Sequence, residues 1–126
     1  MRLMAIDYGE KRVGLASTDE TGRFALPRLV LPNDPLLLEK LLEFKKQEKI
    51  EKVILGESRN LKGEPNPIFS EIEKFKRELE ERGVEVIYHP EVFTTVEARR
   101  LQGQTSMTDA SAASIILKSY LDSINA

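Results

Sequence analysis

A carboxylate at the end of an apolar run, followed at once by glycine and two cations, carries the most chemical content in this chain. Leu3-Met4-Ala5-Ile6 leads directly into Asp7-Tyr8-Gly9-Glu10-Lys11-Arg12-Val13-Gly14-Leu15-Ala16. A buried strand that ends in Asp7 and turns through glycine holds one negative charge at the mouth of a sheet. That placement suits a divalent metal ion, or a phosphate held through one. Gly9 and Gly14 permit close backbone approach and positive φ. Two more acidic residues stand at element ends: Glu91 after the strand-like run 84–88, and Asp109 at the start of the last helical stretch. Glu57, directly after Gly56, is a fourth. Carboxylates that converge repel one another and gain by sharing Mg²⁺ or Mn²⁺, which prefer oxygen ligands. Paired ions of that kind activate water and stabilise the leaving oxygen in phosphodiester hydrolysis.

Each of these residues also has a plainer reading. Asp before glycine is a common turn former. Asp109 is an ordinary helix N-cap. Glu91 and Glu57 fit solvated loop-end residues. His89 is the single histidine, and a lone histidine at a strand end is more often hydrogen-bonded or at the surface than catalytic. The chain order suggests no Ser-His-Asp arrangement. Lys11, Arg12, Arg59, Lys62, Arg99 and Arg100 fall in or near the loops that would surround the carboxylates, where cations contact phosphates. Lys45, Lys46, Lys74 and Lys76 read as solvated helix exteriors.

The elements that must position these groups follow from periodicity. Residues 2–7 read as a buried strand and 12–17 as a second, joined by a connection short enough for a hairpin. Residues 18–22 form a turn. A third strand spans 24–31, with Pro27 pointing to an edge or a bulge. Asn33 or Asp34 then caps a helix with Pro35 in its first turn. Leu37, Leu38, Leu41 and Leu42 make the apolar face of that helix. Residues 52–56 are a buried strand, and 57–65 a polar loop. Asn66-Pro67 opens a helix whose core residues are Ile68, Ile72, Phe75 and Leu79, and Gly83 ends it. Another strand covers 84–88. Thr94 and Glu97 fit a capping box. The last helix begins near Asp109 and carries Ala113, Ile116, Leu117, Tyr120, Leu121 and Ile124 at helical spacing.

The predicted order is β-β-β-α-β-α-β-α-α. Strands separated by helices pair in parallel through crossovers. A three-stranded antiparallel meander joined to two parallel strands gives a mixed five-stranded α/β sheet with helices on its faces. Strand C-termini then meet at one edge, where sites form, and a helix N-terminus aimed there brings Asp109 toward Asp7.

The chain has 126 residues, the length of one domain, and can bury a core without disulfides. It has no cysteine, so disulfide frameworks and zinc–thiolate sites are excluded. No apolar run approaches the roughly 20 residues that span a bilayer, and the opening lacks a signal-peptide layout. A cytoplasmic protein without membrane contact is expected. Charged residues make up 32%, with 19 basic against 21 acidic and a net charge of −2. Nucleic-acid contact must therefore come from a local patch rather than a global field.

These residues resemble the YqgF (RuvX) family along nearly the whole chain. Asp7-Tyr-Gly-Glu-Lys-Arg-Val-Gly-Leu-Ala16 is similar to the family's Asp-x-Gly-x-Lys-Arg-x-Gly-x-Ala opening. Val53-Ile-Leu-Gly56 with Asn60-Leu-Lys-Gly63 resembles its Gly-Leu-Pro and Asn-x-x-Gly segment. Thr94-Thr-Val-Glu-Ala-Arg99 resembles the end of its Asp-Glu-Arg-x-Thr-Thr-x-Glu-Ala motif. Asp109-Ala-Ser-Ala-Ala113, with 115–121 following, resembles its C-terminal helix. The resemblance implies a single RNase H-like domain over 1–126. It implies a nuclease that matures the 5′ end of pre-16S rRNA or resolves Holliday junctions, with a carboxylate site using Mg²⁺ or Mn²⁺. Asp7, Glu91 and Asp109 take the positions of the catalytic, metal-binding acids. Gly9, Lys11, Arg12, Arg59 and Thr94 are the expected substrate contacts. The chain departs from the pattern at Pro90 and Val92, where the family has Asp and Arg, and at Glu57-Ser58, where it has Leu-Pro. Glu57 is our own candidate to replace the missing carboxylate. The expected partners are structured pre-rRNA or branched DNA, with the ribosome supplying affinity that a near-neutral chain lacks. Two alternatives stand beside this reading: a non-catalytic RNA- or ribosome-binding module that kept the fold, and a phosphotransferase of the actin-like ATPase kind. The second normally pinches nucleotide between two domains, for which 126 residues are few.

Overall fold

The computed structural model describes residues 2–57, 69–90 and 108–124. Its elements are β1 (Leu3–Tyr8), β2 (Arg12–Thr18), β3 (Ala25–Pro32), α1 (Leu37–Gln47), β4 (Lys52–Glu57), α2 (Phe69–Glu81), β5 (Glu85–Pro90) and α3 (Thr108–Ile124). The sheet order is β3-β2-β1-β4-β5. β2 pairs antiparallel with β1 and β3, while β4 runs parallel to β1 and β5 parallel to β4. This is the mixed five-stranded arrangement expected from the element order. The capping-box segment at 94–97 lies outside the described residues.

β1 is central and covered on both sides, which is why it reads as an almost unbroken apolar run. Its side chains alternate between two cores. Met4 and Ile6 join Val13, Leu15, Val53 and Leu55 beneath Leu37, Leu41 and Phe44 of α1 and Ile72, Phe75 and Leu79 of α2. Leu3 and Ala5 join Ala16 and Ile54 beneath Ala113, Ile116, Leu117 and Leu121 of α3. α1 and α2 therefore cover one face and α3 the other. Burial of each large aliphatic side chain contributes about 1.5–3 kcal/mol. On the α3 side, the small residues Ala5, Ala16 and Ala113 let the helix approach the sheet closely.

Local chemistry sets the element ends. Pro27 lies on β3, an edge strand, and the β2–β3 register shifts between Leu15 and Ala16, which pair with Leu29 and Pro27. Arg28 is thus the extra residue of a bulge, as the proline implied. At the β2–β3 turn the Asp19 carboxylate accepts a hydrogen bond from the Thr21 hydroxyl at 2.7 Å, which holds its pKa below the ordinary carboxylate value. α2 ends in a Schellman motif. Gly83 N–H donates to the Glu80 carbonyl, Val84 N–H donates to the Leu79 carbonyl, and Gly83 takes φ of 81°, a conformation that only glycine adopts cheaply.

Two expectations need correction. α1 starts at Leu37 rather than at a cap on Asn33 or Asp34. Asp34 instead closes a turn, its carboxylate accepting from Leu36 N–H at 2.9 Å, so Pro35 sits in that turn and not in the helix. Asn33 serves the β1–β2 loop, as described below. The second correction concerns Gly9 and Gly14. Among the described residues, positive φ occurs at Gly22, Gly83 and Lys49, so Gly9 acts through close approach alone.

The far end of the sheet is held by a charged network. Glu48, just after α1, pairs with both Arg28 and Arg2, the latter at 3.5 Å. Arg28 also donates to Ser17 Oγ at 3.0 Å and lies over the Phe44 ring. Buried Thr18 accepts from Leu3 N–H at 3.0 Å.

Candidate active site

Asp7 is the next-to-last residue of β1 and is buried, with 7% of its surface exposed. It shares the parity of Leu3 and Ala5, so it belongs to the face that α3 covers. Its antiparallel partner is Gly14. On the other side Ile6 pairs with Leu55, and the next residues along those strands are Asp7 and Gly56. Glycines flank the aspartate on both neighbouring strands, which leaves room beside its carboxylate at the C-terminal end of β1. Burying a carboxylate is costly unless it is partnered, and Asp7 does have an interaction partner.

The loop after Asp7 is built tightly. A Cβ on Gly9 would lie 2.5 Å from the Arg12 carbonyl oxygen, closer than any side chain tolerates. Asn33 fixes the loop from outside. Its Nδ2 donates to the Gly9 carbonyl at 2.8 Å, and its backbone N–H donates to the Lys11 carbonyl at 2.9 Å. Lys11 and Arg12 are thereby displayed, both exposed, at the same rim as Asp7. Arg12 has the parity of Gly14 and Ala16 and stands diagonally across from Asp7 on α3's face. Diagonal cross-strand positions are within reach of long side chains.

α3 begins at Thr108, and Asp109 lies in its first turn. Ala110, Ala112 and Ala113 are almost fully buried, so this helix end is packed into the body and not frayed. Glu57 closes β4 in register with Pro90, and His89 pairs with Gly56 one step earlier. Glu91, Arg59, Thr94, Lys62, Arg99 and Arg100 lie outside the described residues. Among the described residues no three Asp, Glu or His side chains gather as a cation site. Oxygen ligands on a buried carboxylate nevertheless match what Mg²⁺ and Mn²⁺ prefer, and Asp7 fits as one such ligand.

His89 has a visible structural partner. Its Nε2 is 2.8 Å from Ser119 Oγ, and its ring meets Tyr120 edge-on at 5.9 Å. Partial burial lowers its pKa below 6.5. It ties the end of β5 to α3 as a hydrogen-bonded histidine. Asn33 is the positioning residue that the sequence does not reveal. It reads there as a helix cap, and its true partners lie across the fold.

The family described as RuvX, Holliday junction resolvase, matches residues 1–123. The chain belongs to this family. Curated RuvX relatives include a protein of Bacteroides fragilis, 33% identical, with 96% of each chain covered. Another is from Desulforudis audaxviator, 34% identical, with 98% of this chain and 95% of the relative covered. Both bear the name "Putative pre-16S rRNA nuclease". Among solved structures, Thermus thermophilus RuvC in complex with Holliday junction substrate superposes with a TM-score of 0.63 at 16% identity, over 99% of this chain and 96% of that one. The fowlpox virus Holliday junction resolvase gives 0.61 at 16% identity, over 98% and 99%. These two likenesses establish that this RuvX chain shares the fold of those two proteins. No helix among the described residues is long and apolar enough to cross a membrane.

Proposed function

We propose that this RuvX-family chain is a metal-dependent endonuclease that hydrolyses phosphodiester bonds in structured RNA, with the 5′ end of pre-16S rRNA as its substrate. The observation that carries this reading is Asp7. It is a buried carboxylate between strand glycines, on the face covered by the helix that bears Asp109. The names of the curated relatives support the choice of pre-rRNA.

Asp7, Glu91 and Asp109 would hold Mg²⁺ or Mn²⁺, with Glu57 as a further ligand in place of the family carboxylate missing at Pro90. When bound, such an ion lowers the pKa of water and neutralises charge at the reacting phosphate. The chain's own residues supply the geometry. Asp7 is fixed by the central strand, so its carboxylate does not reorganise during reaction. The Gly9 loop, braced by Asn33, lets backbone approach the substrate. Lys11, Arg12, Arg59 and Thr94 hold phosphate oxygens and orient the scissile bond for in-line attack by water. No covalent enzyme intermediate forms. With a net charge of −2, the chain depends on a pre-ribosomal particle in the cytoplasm to concentrate its substrate.

The family description favours a second substrate, branched DNA. A direct comparison decides: Mn²⁺-dependent cleavage of a pre-16S 5′-leader RNA and of a four-way DNA junction, each with the parent and Asp7→Asn. The parent is expected to cut the RNA faster, and Asp7→Asn to cut neither. Preferential junction cleavage overturns the substrate choice. Equal activity in parent and variant overturns the nuclease site. Inactivity of both on either substrate supports the binding-module alternative.

A further inference from the structure

A cavity of about 390 Å³ opens on the sheet face opposite Asp7, between the start of α1 and the flank of α2. That size lies within the roughly 300–1,000 Å³ of ligand pockets. Its floor is aromatic and apolar. Tyr8 and Phe75 pack as a tilted pair, centroids 5.1 Å and ring planes 42° apart, and Leu37 and Leu38 complete it. Its rim carries Glu10, Asp34, Glu71 and Glu78 against one cation, Lys74. Among the described residues Glu10, Glu71 and Glu78 have no ion-pair partner. The wall is preformed, because Asn33 is bonded to Gly9 and Lys11 and Asp34 to Leu36.

We infer that this cavity docks an arginine- or lysine-bearing segment of a protein partner. Carboxylates around the rim repel phosphates, so the nucleic-acid substrate is kept from this face. A bare metal ion is also a poor fit, since no three of these acids converge as a cation site among the described residues. A basic side chain satisfies both parts of the cavity. Its aliphatic stem covers Leu38, its cation lies beside the partly exposed Tyr8 ring, which Phe75 backs from the core, and its charge meets the rim. The cavity opens on the sheet face opposite Asp7 and shares with the proposed nuclease centre only Asn33 and the loop that carries Glu10, so the chain holds substrate on one face and a basic protein segment on the other.

A fluorescent octa-arginine peptide serves as the probe, titrated at low salt by anisotropy, with the Tyr8 and Phe75 ring resonances followed by NMR. The parent is expected to bind one equivalent saturably and to shift both rings. Glu71→Gln combined with Glu78→Gln should weaken binding roughly tenfold, as expected for losing two rim charges beside an aromatic cation site. The matched pair Glu20→Gln and Glu51→Gln, which changes net charge equally at the other end of the sheet from the cavity, should change it less than about twofold. Equal weakening by both pairs, unmoved ring resonances or unsaturable binding overturns the proposal. None of these readouts depends on cleavage, so loss of the nuclease reading leaves them intact.

Discussion

Asn33 Nδ2 donates to the Gly9 carbonyl at 2.8 Å across 24 residues of chain, so the segment that leads into α1 also holds the loop that follows Asp7. Replacing Asn33 with Ala removes this bond and leaves the Gly9 carbonyl partly unpaired. The expected stability loss is about 1 kcal/mol. Turnover should fall further than stability, roughly ten- to a hundredfold, because displaced phosphate contacts misalign the attack. Denaturant titration and single-turnover cleavage separate the two effects.

Gly9→Ala and Gly83→Ala make a contrasting pair. At Gly9 a Cβ meets backbone at 2.5 Å, and the loop must move. Activity should drop steeply even where the protein stays folded. At Gly83 a Cβ meets nothing within 4 Å, but φ is 81°. There the cost is the left-handed conformation, about 1–2 kcal/mol, with activity per folded molecule unchanged. Thermal melts alongside cleavage rates report both outcomes.

Glu48→Ala leaves Arg2 and Arg28 without their shared carboxylate. The site is half-buried, so we expect a loss of about 1–2 kcal/mol, less than for a fully buried pair. Glu48→Gln, which keeps an acceptor oxygen for one guanidinium but turns its amide N–H groups toward the other, should lose only slightly less. Urea midpoints at constant m-value test the ranking.

His89 makes stability depend on pH in a defined direction. Burial lowers its folded pKa below the unfolded value of 6.5. In that interval the unfolded chain binds more protons than the folded one, so folding stability falls as pH falls. The contribution is complete above pH 6.5 and is lost as pH drops through the folded value. His89→Gln should flatten this part of the stability profile between pH 7 and 5, measured as unfolding free energy against pH.

Much of this architecture is written in local pattern. The strand–helix order, the edge position of Pro27 and the Gly83 stop all follow from spacing and backbone chemistry. So does the placement of Asp7 on one sheet face, since Leu3, Ala5 and Asp7 alternate with Met4, Ile6 and Tyr8. What the pattern hides is long-range pairing. Asn33 looks like a cap because its partners, Gly9 and Lys11, are brought to it only by the β2–β3 hairpin. Glu48 gains its role only when β3 and the chain start bring Arg28 and Arg2 to it. The acidic cavity joins residues 8–10, 33–38 and 71–78, which no single window contains. Glu57 was legible as a strand-end residue, while its proposed partnership with Glu91 depends on a segment outside the described residues.

Manganese binding measured by electron paramagnetic resonance tests the central claim most directly. Parent, Asp7→Asn, Asp109→Asn and the double variant are compared at equal folded concentration. If Asp7 and Asp109 share one ion, each single change abolishes saturable Mn²⁺ binding and the double is no worse than either. Unchanged binding in both single variants, or losses that add as for independent sites, would contradict it.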